Sequence, residues 1–376
     1  MNAQIQEFLY SIKSEKTKSV YMYCIGYFSK FAKMEIQDLL KLPIKEIEKI
    51  IINYIIHMRD SELAYASIRM RISPIFTFLE LNDVFVNKRK IEKFFGEEKK
   101  TVKDQAYTTE DIQKMISMAT FRTKLMILVF SSTGIRREAF LELKLKHLTK
   151  LPEYNLYKIT VYENSKEEYT TYCTPECATV IDKYLEHREK SGETLTPNSY
   201  LFRNKFNPNN PESVKDIRRI TGQDLTTILG NLLENTGQRK IRHGSKYERH
   251  QIAMFHGMRK YFTNKLIEAS VQSEHRFLLE GHALLGNDAA YARISEKQLL
   301  REYMKAVDEL TIDLANSLKR QVKVLEEENS KIELLELKHE KYKKEMDEKL
   351  EKIVAAMQKN PKLAKIKSSV LKQKIV

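Results

Sequence analysis

MFHGMRKYFTNKLIEASVQSEHRFLLEGHALLGNDAAYAR, residues 254–293, is the stretch on which the reading of this chain turns. His256 and Arg259 stand three apart, so a helix would present both on one face. Gly281 and His282 follow the apolar run RFLLE, and Tyr291 lies nine residues beyond His282. Core packing does not call for polar groups at these distances. An imidazole and a guanidinium on one helix face can hold a phosphate from one side.

Two cations upstream would complete such a grip. TGIRRE (133–138) places Arg136 just after a Thr-Gly turn, where a helix begins. An arginine there can aim its planar fork at an oxyanion beside a helix N-terminus, although caps and ion pairs use surface arginines in the same way. Lys166 falls in the turn of an expected hairpin, from which a lysine can protonate a leaving-group oxygen. A metal is not expected: His243, His250 and His256 are spaced by seven and six, which matches no zinc pattern. Tyr303 is a rival to Tyr291, but it stands in what reads as a separate helix.

The rest of the chain reads as mainly α with a small β-sheet (α+β). Residues 1–95 carry apolar residues at helical spacing (Ile5, Phe8, Leu9, Ile12; Tyr21, Ile25, Phe28, Phe31), with further helices over 44–58 and 62–80. The charged segment 96–106 lacks that periodicity and reads as a linker. A second domain over 107–310 opens with a capping box at Thr108 and Asp111. Residues 124–148 give a buried helix, a turn at Thr133-Gly134 and a second helix. Residues 154–174 read as strand, turn and strand. Pro175 opens a helix ended by Ser191-Gly192, residues 193–215 read as loop, and helices follow over 222–235, 256–270, 273–280 and 296–309. From 311 to 376 the composition becomes that of a charged helix and a basic tail. Leu318, Val322, Leu325, Asn329 and Ile332 alternate spacings of four and three, and His339, Met346 and Ile353 continue the rhythm imperfectly. That is coiled-coil character with a polar residue in the seam; a single helix folded back on the body is the alternative.

Net charge is +14 over 376 residues, with a pI near 9.3. That balance favours a polyanionic partner, nucleic acid before an acidic membrane surface. Candidate phosphate contacts are Arg69, Arg71, Lys88, Arg89 and Lys90 in the first domain and Arg239, Lys240, Arg242, Lys246 and Arg249 in the basic segment 236–250. A solvated lysine-rich surface is the plainer reading of the same charges. Cys24, Cys173 and Cys177 are too few for a disulfide framework, and the N-terminus lacks a signal-peptide pattern. No apolar run approaches a membrane span. The expectation is a soluble cytoplasmic protein.

The order Arg136, Lys166, His256-x-x-Arg259, Gly281-His282 and Tyr291 resembles the tyrosine recombinase (phage integrase) family. HGMRKYF…GH…AYARISEKQLLREY is similar to its archaeal integrase branch. The resemblance covers about 107–310 and extends more loosely to 1–95, which resembles the family's SAM-like core-binding domain. It implies that Tyr291 is the nucleophile toward a phosphodiester of double-stranded DNA, giving a 3′-phosphotyrosyl link. Arg136 and Arg259 would clamp the non-bridging oxygens, and Lys166 would be the general acid. His256 would handle the nucleophile's proton, and His282 would hydrogen-bond the scissile phosphate. No cofactor, ATP or metal is implied, and the partners implied are double-stranded DNA and further copies of the chain in a tetrameric synapse. A type IB topoisomerase-like enzyme and a non-catalytic DNA-binding accessory protein are the alternatives. Two positions depart from the family's usual pattern. Ala139 stands where an acid commonly follows the first arginine by three, and LLEGH carries Glu280 where LLGH is commoner.

Overall fold

Leucine-, isoleucine- and phenylalanine-rich helix faces generate two cores, one in each of two compact units of a computed structural model. The structure describes residues 3–98, 105–239, 250, 252–284 and 294–358. In the first unit, α1 (Ala3–Ser11), α2 (Glu15–Ala32), α3 (Ile44–Asp60) and α4 (Tyr65–Leu81) are followed by a short α5 (Lys88–Glu92). Ile47, Ile51, Ile55 and Met58 recur at steps of three and four and bury one face of α3. They share a core with Ile25 and Phe28 of α2 and Ile68, Ile72, Ile75 and Leu79 of α4. Ser14 caps α2 by accepting from Thr17 N. Glu48, buried on α3, accepts from Asn87 N at 2.9 Å and Lys90 Nζ at 2.6 Å and so ties α5 to α3.

The second unit opens with α6 (Thr109–Met118), whose capping box pairs Thr108 and Asp111 reciprocally, as the sequence predicts. The next helix, α7 (Phe121–Thr133), is buried on every face from Leu125 to Thr133. A helix of that kind can only be central, and other elements pack around it. After α8 (Arg137–Glu142) the chain departs from expectation. The second helix is only six residues long, and a 3₁₀ turn leads into a strand, β1 (Leu148–Leu151). Four residues with an outer-inner pattern carry little strand signal of their own; pairing with β2 (Leu156–Val161) makes them a strand. β3 (Tyr169–Tyr172) completes an antiparallel meander in the order β1-β2-β3, with Thr160 opposite Thr170. The β2–β3 turn spans 162–168, and Tyr162 and Asn164 within it adopt positive φ.

The helix α9 (Pro175–Lys190) has the expected bounds, with Thr174 as its cap. The segment expected as loop, 193–215, ends in a short helix, α10 (Pro211–Lys215), and is held by a buried ionic network. Glu193 accepts from Arg188 Nε at 3.0 Å and Arg203 Nη1 at 2.8 Å, and all three side chains are sealed from solvent. Burial opposes the charge on Glu193, but the two guanidiniums outweigh it and hold the carboxyl below its ordinary range. Then come α11 (Gly222–Asn235), α12 (Met254–Glu268) and α13 (Ser273–Leu279). The expected 296–309 helix breaks into α14 (Glu296–Lys305) and α15 (Val307–Leu310). The chain ends in a 45-residue helix, α16 (Leu314–Gln358). Glu176 anchors its approach by accepting from Ile312 N at 3.0 Å. Beyond that anchor Leu318, Val322, Leu325 and Ile332 are all more than half exposed, so no fold-back onto the body covers them. The three cysteines are free and buried, and among the described residues no helix is long and apolar enough to cross a membrane.

The α7–α12 contact fixes where the site forms. Phe130 meets Phe255 with ring centroids 4.8 Å apart. Phe262 lies against Gly134, where a Cβ would fall 2.3 Å from its ring. Gly134→Ala therefore combines a left-handed backbone with overpacking, and stability should fall by about 2 kcal/mol or more. Urea denaturation measures this; an unchanged midpoint would show that α7 and α12 do not close on that glycine.

Candidate active site

Two helices of the second unit stop at glycines, and the carbonyls released there organise the site. α7 ends at Gly134 (φ 60°), with Gly134 N donating to Phe130 O. α13 ends at Gly281 (φ 66°) in a Schellman turn. Gly281 N donates to Leu278 O at 3.0 Å and His282 N to Phe277 O at 2.8 Å. No other residue suits position 281. The backbone is left-handed, and a Cβ would sit 2.4 Å from the Tyr169 ring. The turn projects His282 edge-on toward Phe277, with centroids 6.4 Å apart.

Terminal carbonyls carry partial negative charge and attract cations. Arg259, the sixth residue of α12, donates to Gly134 O at 2.7 Å and to Glu280 O, so one guanidinium bridges both helix ends. Its Nη2 also lies 3.0 Å from His282 Nε2. Arg136, the N-cap residue of α8, donates to Gly281 O through Nη1 and Nη2 at 3.5 and 3.4 Å. The two arginines thus arrive from separate elements at one point. Burial first and Arg136 second push the Arg259 guanidinium down from its usual range. An arginine stays charged in proteins regardless, so the arrangement stores repulsion that an anion relieves.

The turn side of the site is aromatic. Tyr169, the first residue of β3, is buried, and burial lifts its phenol to about 12 although Arg259 and Arg136 pull the other way. Tyr162 lies near the same arginines, and burial raises it too. On the other side is a cavity of about 370 Å³, lined by Arg136, Arg137, His256 and Arg259 with Ile135, Phe255 and neighbours. It is open and rich in cations.

The expected residues fall as follows. Arg259 and His282 are in direct contact, and Arg136 joins them at the neighbouring Gly281 carbonyl. His256 is exposed in the first turn of α12 and shares the cavity wall with the arginines. Lys166 is exposed in the β2–β3 turn, the turn bracketed by Tyr162 and Tyr169. Tyr291 lies outside the described residues. Tyr303 is fully buried in α14, donates to Ser132 O at 2.8 Å and packs on Tyr172, which is core work. Of the basic candidates, Arg69 and Arg89 are exposed, and Arg71 stands over the Tyr27 ring. Lys88 and Lys90 pair with Glu80 and Glu48. Arg239 is half-buried beside Tyr107. Lys240, Arg242, Lys246 and Arg249 lie outside the described residues. Among the described residues no group of three or more His, Cys, Asp and Glu converges as a metal site would. Two members of the site did not emerge from the sequence. Tyr169 joins through strand pairing alone. The Gly134 carbonyl joins through the helix end, for which the Thr-Gly turn was the available signal.

No family model matches the sequence. It is 24% identical over 324 residues to the tyrosine recombinase XerC of two Staphylococcus epidermidis strains, covering 81% of this chain and 97% of the relative. The fold matches the Tn1549 transposon integrase, solved in complex with transposon right-end DNA. That match has a TM-score of 0.53 and 13% identity, over 80% of this chain and 98% of that one.

Lysine cannot replace the bridging guanidinium, because one ammonium lacks the planar fork that spans both carbonyls. Arg259→Lys should leave at least one carbonyl without its donor and cost about 1–3 kcal/mol. Thermal unfolding checks this; wild-type stability in the variant would mean that the carbonyls do not depend on the fork.

Proposed function

We infer that this chain, a member of the tyrosine recombinase family, is a site-specific DNA recombinase that cuts and rejoins double-stranded DNA through a 3′-phosphotyrosyl intermediate. The observation that carries the reading is the meeting of Arg136, Arg259 and His282 at two helix ends, beside an open cationic cavity that His256 helps to line. One buried guanidinium and one half-buried one, each with fixed partners, suit the non-bridging oxygens of a phosphodiester and the added charge of a five-coordinate phosphorus. Both similar proteins carry the same kind of name, a tyrosine recombinase and a transposon integrase; neither is a topoisomerase or a non-catalytic binder.

The steps follow from the chemistry of a phenol. Tyr291 is a weak nucleophile at neutral pH and needs cations that favour its phenolate. Its oxygen attacks phosphorus while His256 accepts or steers the phenolic proton. The bond from phosphorus to the 5′-oxygen breaks, and Lys166 gives that oxygen a proton. Arg136, Arg259 and His282 hold the phosphate throughout. The new ester keeps the energy of the old one, so a 5′-hydroxyl from another strand reverses the step without ATP.

In this reading residues 1–95 form the core-binding DNA-binding domain, joined by a 96–106 linker to the catalytic domain. Arg69, Arg71 and Arg89 meet the backbone there, and the basic segment holding Arg239, Lys240, Arg242, Lys246 and Arg249 does the same for the catalytic domain. The copies act as an assembly on DNA, and α16 takes part in it. Leu318, Val322, Leu325 and Ile332 form an exposed apolar row, Asn329 stands in the seam, and Met346 and Ile353 extend it. A row of this kind buries itself against a second helix.

A nicked duplex that loses its short 5′-hydroxyl fragment on cleavage should trap a covalent protein–DNA adduct. Tyr291→Phe should abolish it and Tyr303→Phe should leave it; the reverse pattern would remove Tyr291 from the reaction. Ending the chain after Asp313 keeps the Glu176 anchor and removes α16. Sedimentation should then show weaker self-association, whereas an unchanged oligomeric state would take α16 out of assembly.

A further inference from the structure

We propose that Glu280 is a positioning residue of this site: its buried carboxylate orients the His282 imidazole and supplies the counter-charge for the Arg136–Arg259 pair. The inference rests on the recombinase reading for its role in the reaction, though not for its electrostatics.

Glu280 is the C-cap of α13 and only 5% exposed. Its Oε2 lies 3.4 Å from His282 Nε2, and its Oε1 is buried without a hydrogen-bond partner. A buried carboxylate oxygen left unsatisfied is costly and rare, so the residue needs a reason to be there. The helix that carries Arg136 offers no alternative. Its inward position, Ala139, is buried and has no polar atom. Its acids turn to other work, Glu138 to Arg137 at 2.7 Å and Glu142 to Arg219.

The geometry around His282 Nε2 is a conflict between two neighbours. Arg259 Nη2, at 3.0 Å, can only donate and so asks for a bare ring nitrogen. Glu280 Oε2 can accept and so asks for a protonated one. Burial lowers the imidazole's proton affinity most; Arg259 and Arg136 lower it further, and Glu280 alone among these raises it. Glu280 likewise favours the charge on Arg259, against burial and Arg136. Among the described residues, the phenols of Tyr162 and Tyr169 also face the pair from the sheet, and Arg137 and His256 line the cavity beside it. The Schellman turn fixes Glu280 and His282 two residues apart across a rigid bend, so the carboxylate follows the imidazole. When a phosphate engages Arg259, Nε2 loses that donor, and Glu280 is placed to accept from a protonated Nε2, favouring the doubly protonated ring whose other N–H can donate to the phosphate.

The test uses the full chain with Glu280→Gln, which keeps size and loses charge, and Glu280→Asp, which keeps charge. On the nicked duplex, Glu280→Gln should slow adduct formation about tenfold, the equivalent of one pK unit. The sign follows from His282. Removing the group that raises its proton affinity means the proton leaves at lower pH, so the high-pH fall in rate moves to lower pH. Glu280→Asp should keep the wild-type position of that fall. NMR titration of the labelled His282 ring, without DNA, should show the same downward move in Glu280→Gln. A purely structural role would lower the rate of both variants and leave the pH positions alone, and that result overturns the proposal. If the wild type traps no adduct, the recombinase reading falls, and the ring titration still decides whether Glu280 holds His282.

Discussion

Helix ends hold this site together. A helix releases carbonyls at its C-terminus that need donors, and α7 and α13 place theirs side by side at Gly134, Glu280 and Gly281. Arg259 spans the gap between them and Arg136 joins at the second. The glycines are there for reasons of backbone and space: a left-handed turn at each, Phe262 against one and Tyr169 against the other. Because α12 is packed on the central α7 through Phe255 and Phe262, the guanidinium is aimed by the core itself. Site and fold are therefore one construction, and the arginines are oriented before any ligand arrives.

That pre-organisation has an electrostatic consequence. Two guanidiniums converge where burial already disfavours charge on Arg259. Carbonyl dipoles and a buried carboxylate offset part of the repulsion. The rest is available to an anion, more so to one whose charge grows as it reacts, which is how a fixed site lowers a barrier. Histidine 282 sits at the balance point, 48% exposed on one side and pressed by Arg259 and Glu280 on the other.

Much of this was legible in the residues, in places where local chemistry decides. The Thr108–Asp111 box, Pro175 at the start of α9 and the bounds of α11 follow from signals that act within a few residues. Thr-Gly before Arg136 and Gly before His282 mark helix ends, which turned out to be the features that matter. What escaped depends on partners distant in sequence. β1 exists because β2 lies beside it. The 193–215 segment is ordered by the Glu193–Arg188–Arg203 network, and no pattern in its Pro- and Asn-rich sequence announces a sealed ion cluster. Tyr169 reaches the arginines only through its place in the sheet. Glu280 looked like an intrusion into the Gly-His motif, whereas its burial beside His282 makes it part of the site.

The central claim is that the phenol of Tyr291 takes over a DNA phosphate held by these arginines. Trypsin digestion of the trapped protein–DNA adduct, followed by mass spectrometry, tests it most directly. The account predicts that the modified peptide is 277–293, FLLEGHALLGNDAAYAR, with Tyr291 esterified to a 3′-phosphate. A nucleotide on any other peptide, or a link through a 5′-phosphate, would contradict it.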